Sequence, residues 1–210
     1  MQTYLKNLKE HWRDNWLQKE FRLRFLATLA SLFLVVYALS RFLDYIELRT
    51  GVILADPLLQ AFTPVDVTWL TFLVIYLSVI MAILALILDP PRLMVALQAY
   101  ILMVILRMVS MYLMPLDPPP LLIPLTDPFV ESLSSGTLTR DLFFSGHTAT
   151  LFLLFLTAQI VALRRFFLVS TILVGIFVLI QHVHYTIDVL AAPFYSYAAY
   201  RLSIFADRKV

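Results

Sequence analysis

The sequence contains no cysteine, which excludes disulfides, thiolate metal sites and cysteine nucleophiles. Charge is scarce as well. Of 210 residues, 14% are Asp, Glu, Lys or Arg, against roughly 25% in an ordinary soluble domain. Disordered chains are polar and charge-rich, so this composition excludes disorder. With 61% hydrophobic residues, a soluble globule would have too few charges to cover its apolar side chains. An excess of one sign is also missing. Sixteen Lys and Arg against 14 Asp and Glu give a net charge of +2, with no basic stripe of the kind that binds nucleic acid. No internal repeat and no low-complexity tract is visible. What remains is a one-domain integral membrane protein, whose partners are the bilayer and its lipids.

Long uncharged runs are what the chain does have. A spanning helix needs ~20 mostly apolar residues. Stretches 25–40, 67–88, 142–163 and 166–187 carry no charge, 93–116 is broken only by Arg107, and 189–206 only by Arg201. These read as six transmembrane helices in an all-α fold. One unbroken helix over 166–206 would be ~60 Å long, twice the hydrocarbon thickness, so a turn is expected near 181–184. Leu5, Leu8, Trp12 and Trp16 recur at spacings of three and four, with Lys6, Lys9, Arg13 and Lys19 between them. That pattern predicts an interfacial amphipathic helix. It is charged throughout and lacks the apolar core of a cleaved signal. The expected division is an N-terminal segment 1–22, a six-helix catalytic domain 23–206 and a short tail 207–210.

Loop charges orient the bundle. In a six-span arrangement, Lys6, Lys9, Arg13, Lys19, Arg22, Arg24, Arg92, Arg164, Arg165, Arg208 and Lys209 fall on one side. The other side holds Arg41, Arg49 and Arg140 among Asp44, Glu47, Asp56, Asp66, Asp117, Asp127, Glu131 and Asp141. The positive-inside rule puts both termini in the cytoplasm. Pro115, Pro118, Pro119, Pro120, Pro124 and Pro128 mark an outer loop of stiff extended backbone.

Ionisable residues inside a membrane are costly and point to function. His147 opens the fourth span, His184 and Asp188 open the sixth, and Arg107 lies near the outer end of the third. All face the same side. His184 and Asp188 are four apart, a spacing that puts both on one helix face. A carboxylate there fixes the imidazole tautomer and makes the other ring nitrogen a better nucleophile. His147 can supply the complementary proton transfer. Ser145-Gly146 before a helix, with Thr148 in its first turn, offers a cap and open backbone N–H groups for phosphate. Arg107 can add a bidentate phosphate contact. Together these are parts for phosphoryl transfer through a phosphohistidine. His182 reads as structural, His11 as solvated and Arg201 as snorkelling.

Phe144-Ser145-Gly146-His147-Thr148 and His184-Tyr185-Thr186-Ile187-Asp188-Val189 resemble the two catalytic motifs of the sphingomyelin synthase family, a branch of the type-2 phosphatidate phosphatase superfamily. Asp141 and His182 fit the same motifs. The stretch from Arg107 to Tyr112 followed by Pro115 resembles the family's third-helix motif, and Asp56-Pro57-Leu58 echoes its proline-rich first motif. The resemblance runs through roughly residues 49 to 200. It implies a six-helix, metal-independent membrane enzyme without a cofactor, active on the outer side. In it His184 attacks phosphorus, Asp188 orients His184 and His147 protonates the leaving oxygen. The family's acceptor is ceramide and its donor phosphatidylcholine; related phosphatases use water. No Arg-Pro dipeptide of the superfamily's phosphatases occurs here, and Thr139-Arg140 stands where typical eukaryotic synthases have Cys-Gly. The compact form suits a bacterial inner-membrane protein. Two other classes compete: an intramembrane serine protease using Ser145 and His184, and a transporter using His and Asp as a proton relay. A metal site from His147, His182, His184 and Asp188 is also conceivable.

Overall fold

A chain without water around it has to satisfy its own backbone N–H and C=O groups, and helices do this within one segment. The computed structural model describes residues 2–126 and 138–207. Among them are seven α-helices: α1 (Gln2–Leu17), α2 (Lys19–Glu47), α3 (Thr68–Leu86), α4 (Pro90–Leu113), α5 (Gly146–Thr157), α6 (Val161–Ile180) and α7 (Thr186–Asp207). A 3-10 turn lies at Leu59–Ala61. Helices α2, α3, α4 and α6 are long and apolar enough to cross a membrane. The expected turn between the last two spans is found at 181–185.

The fourth expected span is shorter than its uncharged run. Instead of 142–163, the helix α5 has 12 residues, about 18 Å at 1.5 Å per residue. Its start is fixed by Ser145, whose hydroxyl accepts the Thr148 N–H at 3.4 Å. At its end Ala158 turns extended (φ −70, ψ 135) and its N–H closes on the Leu154 carbonyl. Arg164 and Arg165 consequently lie in α6, as its fourth and fifth residues, rather than in a connecting loop. Arg92 likewise lies in the first turn of α4. That helix opens on Asp89, which accepts the Arg92 N–H, and on two prolines where a helix needs no N–H.

Helices α4, α5 and α7 meet over a core of Ala99, Met103, Ala149, Leu153, Ala192 and Ala199. Small residues there let the helices approach closely. A second core joins α3, α5 and α6 through Phe72, Ile75, Leu151, Val174 and Val178. Helix α2 packs on α4, and α1 packs on both. The Trp12 indole donates to the Ile87 carbonyl at 2.8 Å, and its ring packs edge-on against Phe25. Trp12 thus pins α1 to the bundle, and the expected boundary at residue 22 falls within α2.

The ends of the helices sort into two groups. Thr139 and Arg140 donate their N–H groups to the Glu47 carboxylate at the end of α2. Gln181, fully buried, accepts the Val67 N–H at 3.2 Å and donates to Thr68 Oγ1 at 2.8 Å. The end of α2, start of α3, end of α4, start of α5, end of α6 and start of α7 therefore gather on one side. The proline-rich segment runs non-helically through Pro115, Pro118, Pro119, Pro120 and Pro124 on that side. Pro128, Asp127, Glu131, Arg208 and Lys209 lie outside the described residues.

Two of these connections meet at Gly51. Val52 and Leu116 form an isolated parallel bridge, and a Cβ on Gly51 would stand 2.4 Å from the Leu116 carbonyl carbon. Backbone cannot yield as a flexible side chain does. Gly51→Ala is expected to destabilise the protein by about 1–3 kcal/mol, the range for overpacking, read as a lower melting temperature in detergent.

Candidate active site

The start of α7 builds the first half of the site. A helix leaves its first N–H groups without internal partners. Here Tyr185 stands at the capping position, and Asp188 is the third helical residue. The Asp188 carboxylate reaches back to accept the Tyr185 N–H at 3.2 Å, the reciprocal half of a capping box. The same oxygen, Oδ2, lies 3.3 Å from His184 Nδ1. Asp188 has no solvent exposure and His184 only 3%. The expected pairing is present, but not as a shared helix face. His184 precedes α7 by two residues and meets Asp188 through the cap. With a proton on Nδ1 donated to Asp188, Nε2 carries the lone pair of a nucleophile.

The start of α5 builds the second half. Ser145 donates its N–H to the Asp188 main-chain carbonyl at 3.1 Å, so the two helix N-termini are hydrogen-bonded to each other. The Ser145 hydroxyl is buried and committed to Thr148, taking its N–H and its hydroxyl hydrogen at 3.4 and 3.0 Å. His147 is half-buried, with Phe72 edge-on at 6.2 Å between ring centroids.

Arg107 ties this segment to α4. Its Nε donates to the Phe144 carbonyl at 3.2 Å and Nη2 to the Asp141 carbonyl at 3.3 Å. Nη2 also forms an ion pair with the Asp141 carboxylate at 2.6 Å. Arg107 is 7% exposed, so it does not snorkel. Gly146 makes the fit possible: a Cβ there would lie 2.8 Å from the guanidinium carbon. Burial pushes the Asp141 carboxyl up, but Arg107 outweighs it by charge and hydrogen bond, with His184 and His147 adding to the pull. Asp141 therefore sits below the usual carboxylate range and within the field of both histidines.

The structure thus brings Arg107, Ser145, Gly146, His147, Thr148, His184 and Asp188 to one end of the bundle. Sequence reasoning did not find the partners that hold them. The Tyr185 hydroxyl donates to the Asp117 carbonyl at 2.9 Å and accepts the Leu54 N–H at 3.2 Å. Asp56 accepts the Thr186 N–H and hydroxyl. Tyr185 and Asp56 stood in stretches that resemble family motifs and Asp117 among the outer-loop acids, but none carried a role. His182 is buried with φ 56, and its Nδ1 lies 3.4 Å from the Pro120 carbonyl. It borders, with Tyr185, Asp56 and Phe62, a cavity of about 700 Å³ beside the turn that leads into α7. His11 is exposed, and Arg201 stacks over Tyr197 at 5.9 Å. Among the described residues no three His, Asp or Glu side chains converge as metal ligands.

Residues 140–204 match the family model described as PAP2 superfamily C-terminal. The matched stretch takes in Asp141, Ser145, Gly146, His147, His184 and Asp188 and stops short of Arg107. The match supports the type-2 phosphatidate phosphatase superfamily, and with it phosphatase or phosphotransferase chemistry on lipid phosphoesters. No curated protein matches the chain.

Two outcomes follow from the Arg107 brace. Arg107→Met leaves Asp141 with its ion-pair partner gone, and a loss of about 3–5 kcal/mol is expected. Because Asp141 is depressed when folded, its contribution to stability is present above its unfolded pKa and is lost as pH falls through the folded one. Melting temperature should therefore fall on acidification below about pH 4, and less steeply in Asp141→Asn.

Proposed function

We propose that this protein is a membrane lipid phosphotransferase or phosphatase that works through a phosphohistidine on His184. The observation that carries the proposal is the buried His184–Asp188 pair at 3.3 Å, hydrogen-bonded through Ser145 to the helix start that bears His147. Nε2 of His184 attacks phosphorus. The bond from phosphorus to the leaving lipid oxygen breaks, and His147 gives that oxygen its proton. In the second half His147 takes the proton of the acceptor hydroxyl, whose oxygen displaces the histidine. Asp188 holds the His184 tautomer through both halves.

Ser145 takes the Thr148 N–H, and the N-terminal turn of α5 that begins at Gly146 is the cradle we assign to an anion. Arg107 Nη1, packed against Gly146, is the guanidinium nitrogen that completes this cradle. Thr148 supports it by its bond to the Ser145 hydroxyl. The resemblance of the His motifs to sphingomyelin synthases favours transfer of a head-group phosphate to ceramide or diacylglycerol. Water as acceptor is the other outcome of the same chemistry. Commitment of the Ser145 hydroxyl to capping speaks against a serine nucleophile.

Six spans fit this reading. Helices α5 and α7 complete the set begun by α2, α3, α4 and α6. Basic residues at the opposite end favour a reading with both termini in the cytoplasm, α1 at the inner interface and the site on the outer face. A bacterial inner membrane is the location we assign.

The test is a head-group-resolved assay on purified enzyme with labelled phosphatidylcholine or phosphatidate, with and without ceramide or diacylglycerol. A new labelled lipid means transfer, and free phosphate or phosphorylated head group means hydrolysis. His184→Ala and His147→Ala should each lower turnover at least about 10³-fold, the scale of losing a group from a catalytic unit. Full activity in His184→Ala enzyme would sink the proposal. Turnover should also survive chelation by EDTA, and its abolition would point to a catalytic metal instead.

A further inference from the structure

Helix α7 has a capping problem. Its capping position is Tyr185, and a phenol is not among the side chains that serve there. The Tyr185 hydroxyl is in any case occupied with Asp117 and Leu54. Asp188 accepts the Tyr185 N–H, which leaves the Thr186 N–H as the next orphan donor. It is satisfied from 130 residues away. Asp56 Oδ2 accepts it at 2.7 Å, and Asp56 Oδ1 accepts the Thr186 hydroxyl at 3.0 Å.

The carboxylate that makes this cap is itself anchored. Oδ1 of Asp56 also accepts the Leu58 and Leu59 N–H groups at 3.0 and 3.3 Å, so the carboxylate is built into the turn at Leu59–Ala61. Asp56 is 9% exposed. Burial pushes its carboxyl up, but the bonds from Thr186, Leu59 and Leu58 together hold it below the usual range. A second negative charge at the start of α7 is also favoured by the helix dipole.

Thr186 sits between His184 and Asp188. Any shift of the first turn moves the two against each other. We infer that Asp56 is a positioning residue for phosphoryl transfer, acting through Thr186 as the cap that fixes the helix start between His184 and Asp188. This rests on the phosphohistidine reading of His184. A misplacement of 1 Å in a catalytic group can cost about 10²-fold in rate, whereas substrate binding need not change.

The experiment compares wild type, Asp56→Ala, Asp56→Asn, Thr186→Val and the Asp56→Ala/Thr186→Val double variant. Dioctanoyl phosphatidate and dihexanoyl phosphatidylcholine in micelles are the probes, with melting temperature measured alongside. For Asp56→Ala, kcat should fall about 10²-fold with KM within about threefold. Asn keeps one acceptor oxygen where Asp56 uses two, so Asp56→Asn should recover part of kcat. Thr186→Val should lose several-fold, and the double variant should be no worse than Asp56→Ala alone. If Asp56→Ala keeps kcat within about twofold, or loses it only in proportion to the folded fraction with Asp56→Asn no better, the inference fails. Should Asp56→Ala not fold, the other single variants decide: unchanged kcat in both Asp56→Asn and Thr186→Val overturns it. Turnover that survives His184→Ala removes the phosphohistidine reading and this inference together. Turnover that needs His184 but ignores Asp56 removes this inference alone.

Discussion

A carboxylate with no solvent exposure has to be matched by donors, and Asp188 is matched in a way that sets the rest of the site. One oxygen takes the Tyr185 N–H and faces the His184 ring. Its main-chain carbonyl takes the Ser145 N–H. The same residue therefore starts α7, pairs with the His184 ring and holds α5 in register. Its other oxygen meets no donor among the described residues, an unsatisfied state that folded proteins keep for a reason. The arrangement gives one physical account of two features: why α5 begins as late as Gly146, and why two histidines from distant parts of the chain come to the same end of the bundle.

Around that centre, polar groups are spent in pairs. Arg107 with Asp141, Arg140 with Asp117 and Glu47, Gln181 with the start of α3, and Asp56 with Thr186 all lie at the site end. Each joins two segments far apart in sequence. Between them they tie the connections together alongside the apolar cluster of Leu59, Leu116, Leu142 and Tyr185.

The helical character of the chain and the site's main residues were legible in the sequence. Uncharged runs announce helices because a charge in lipid is expensive. The His184–Asp188 spacing and the Ser-Gly-His start of α5 are local, and local patterns survive translation into structure. The end of α5 was not legible, because Ala158-Gln159-Ile160 contains neither Gly nor Pro and interrupts the helix without a composition signal. Nor was the cap-mediated geometry of His184, since spacing alone does not say where a helix starts. Asp56 was legible as an outer-loop acid in the Asp-Pro-Leu echo of a family motif, but its role was not. Its partner lies 130 residues on, and pairings at that distance belong to the fold.

The most direct test of the central claim is to trap the intermediate. Enzyme mixed with a phosphorus-labelled lipid donor is quenched in alkali, digested and mapped for the label. The account predicts an acid-labile, alkali-stable adduct on the peptide that carries His184, absent in His184→Ala. A label on Ser145, or turnover with no labelled peptide at all, would contradict it.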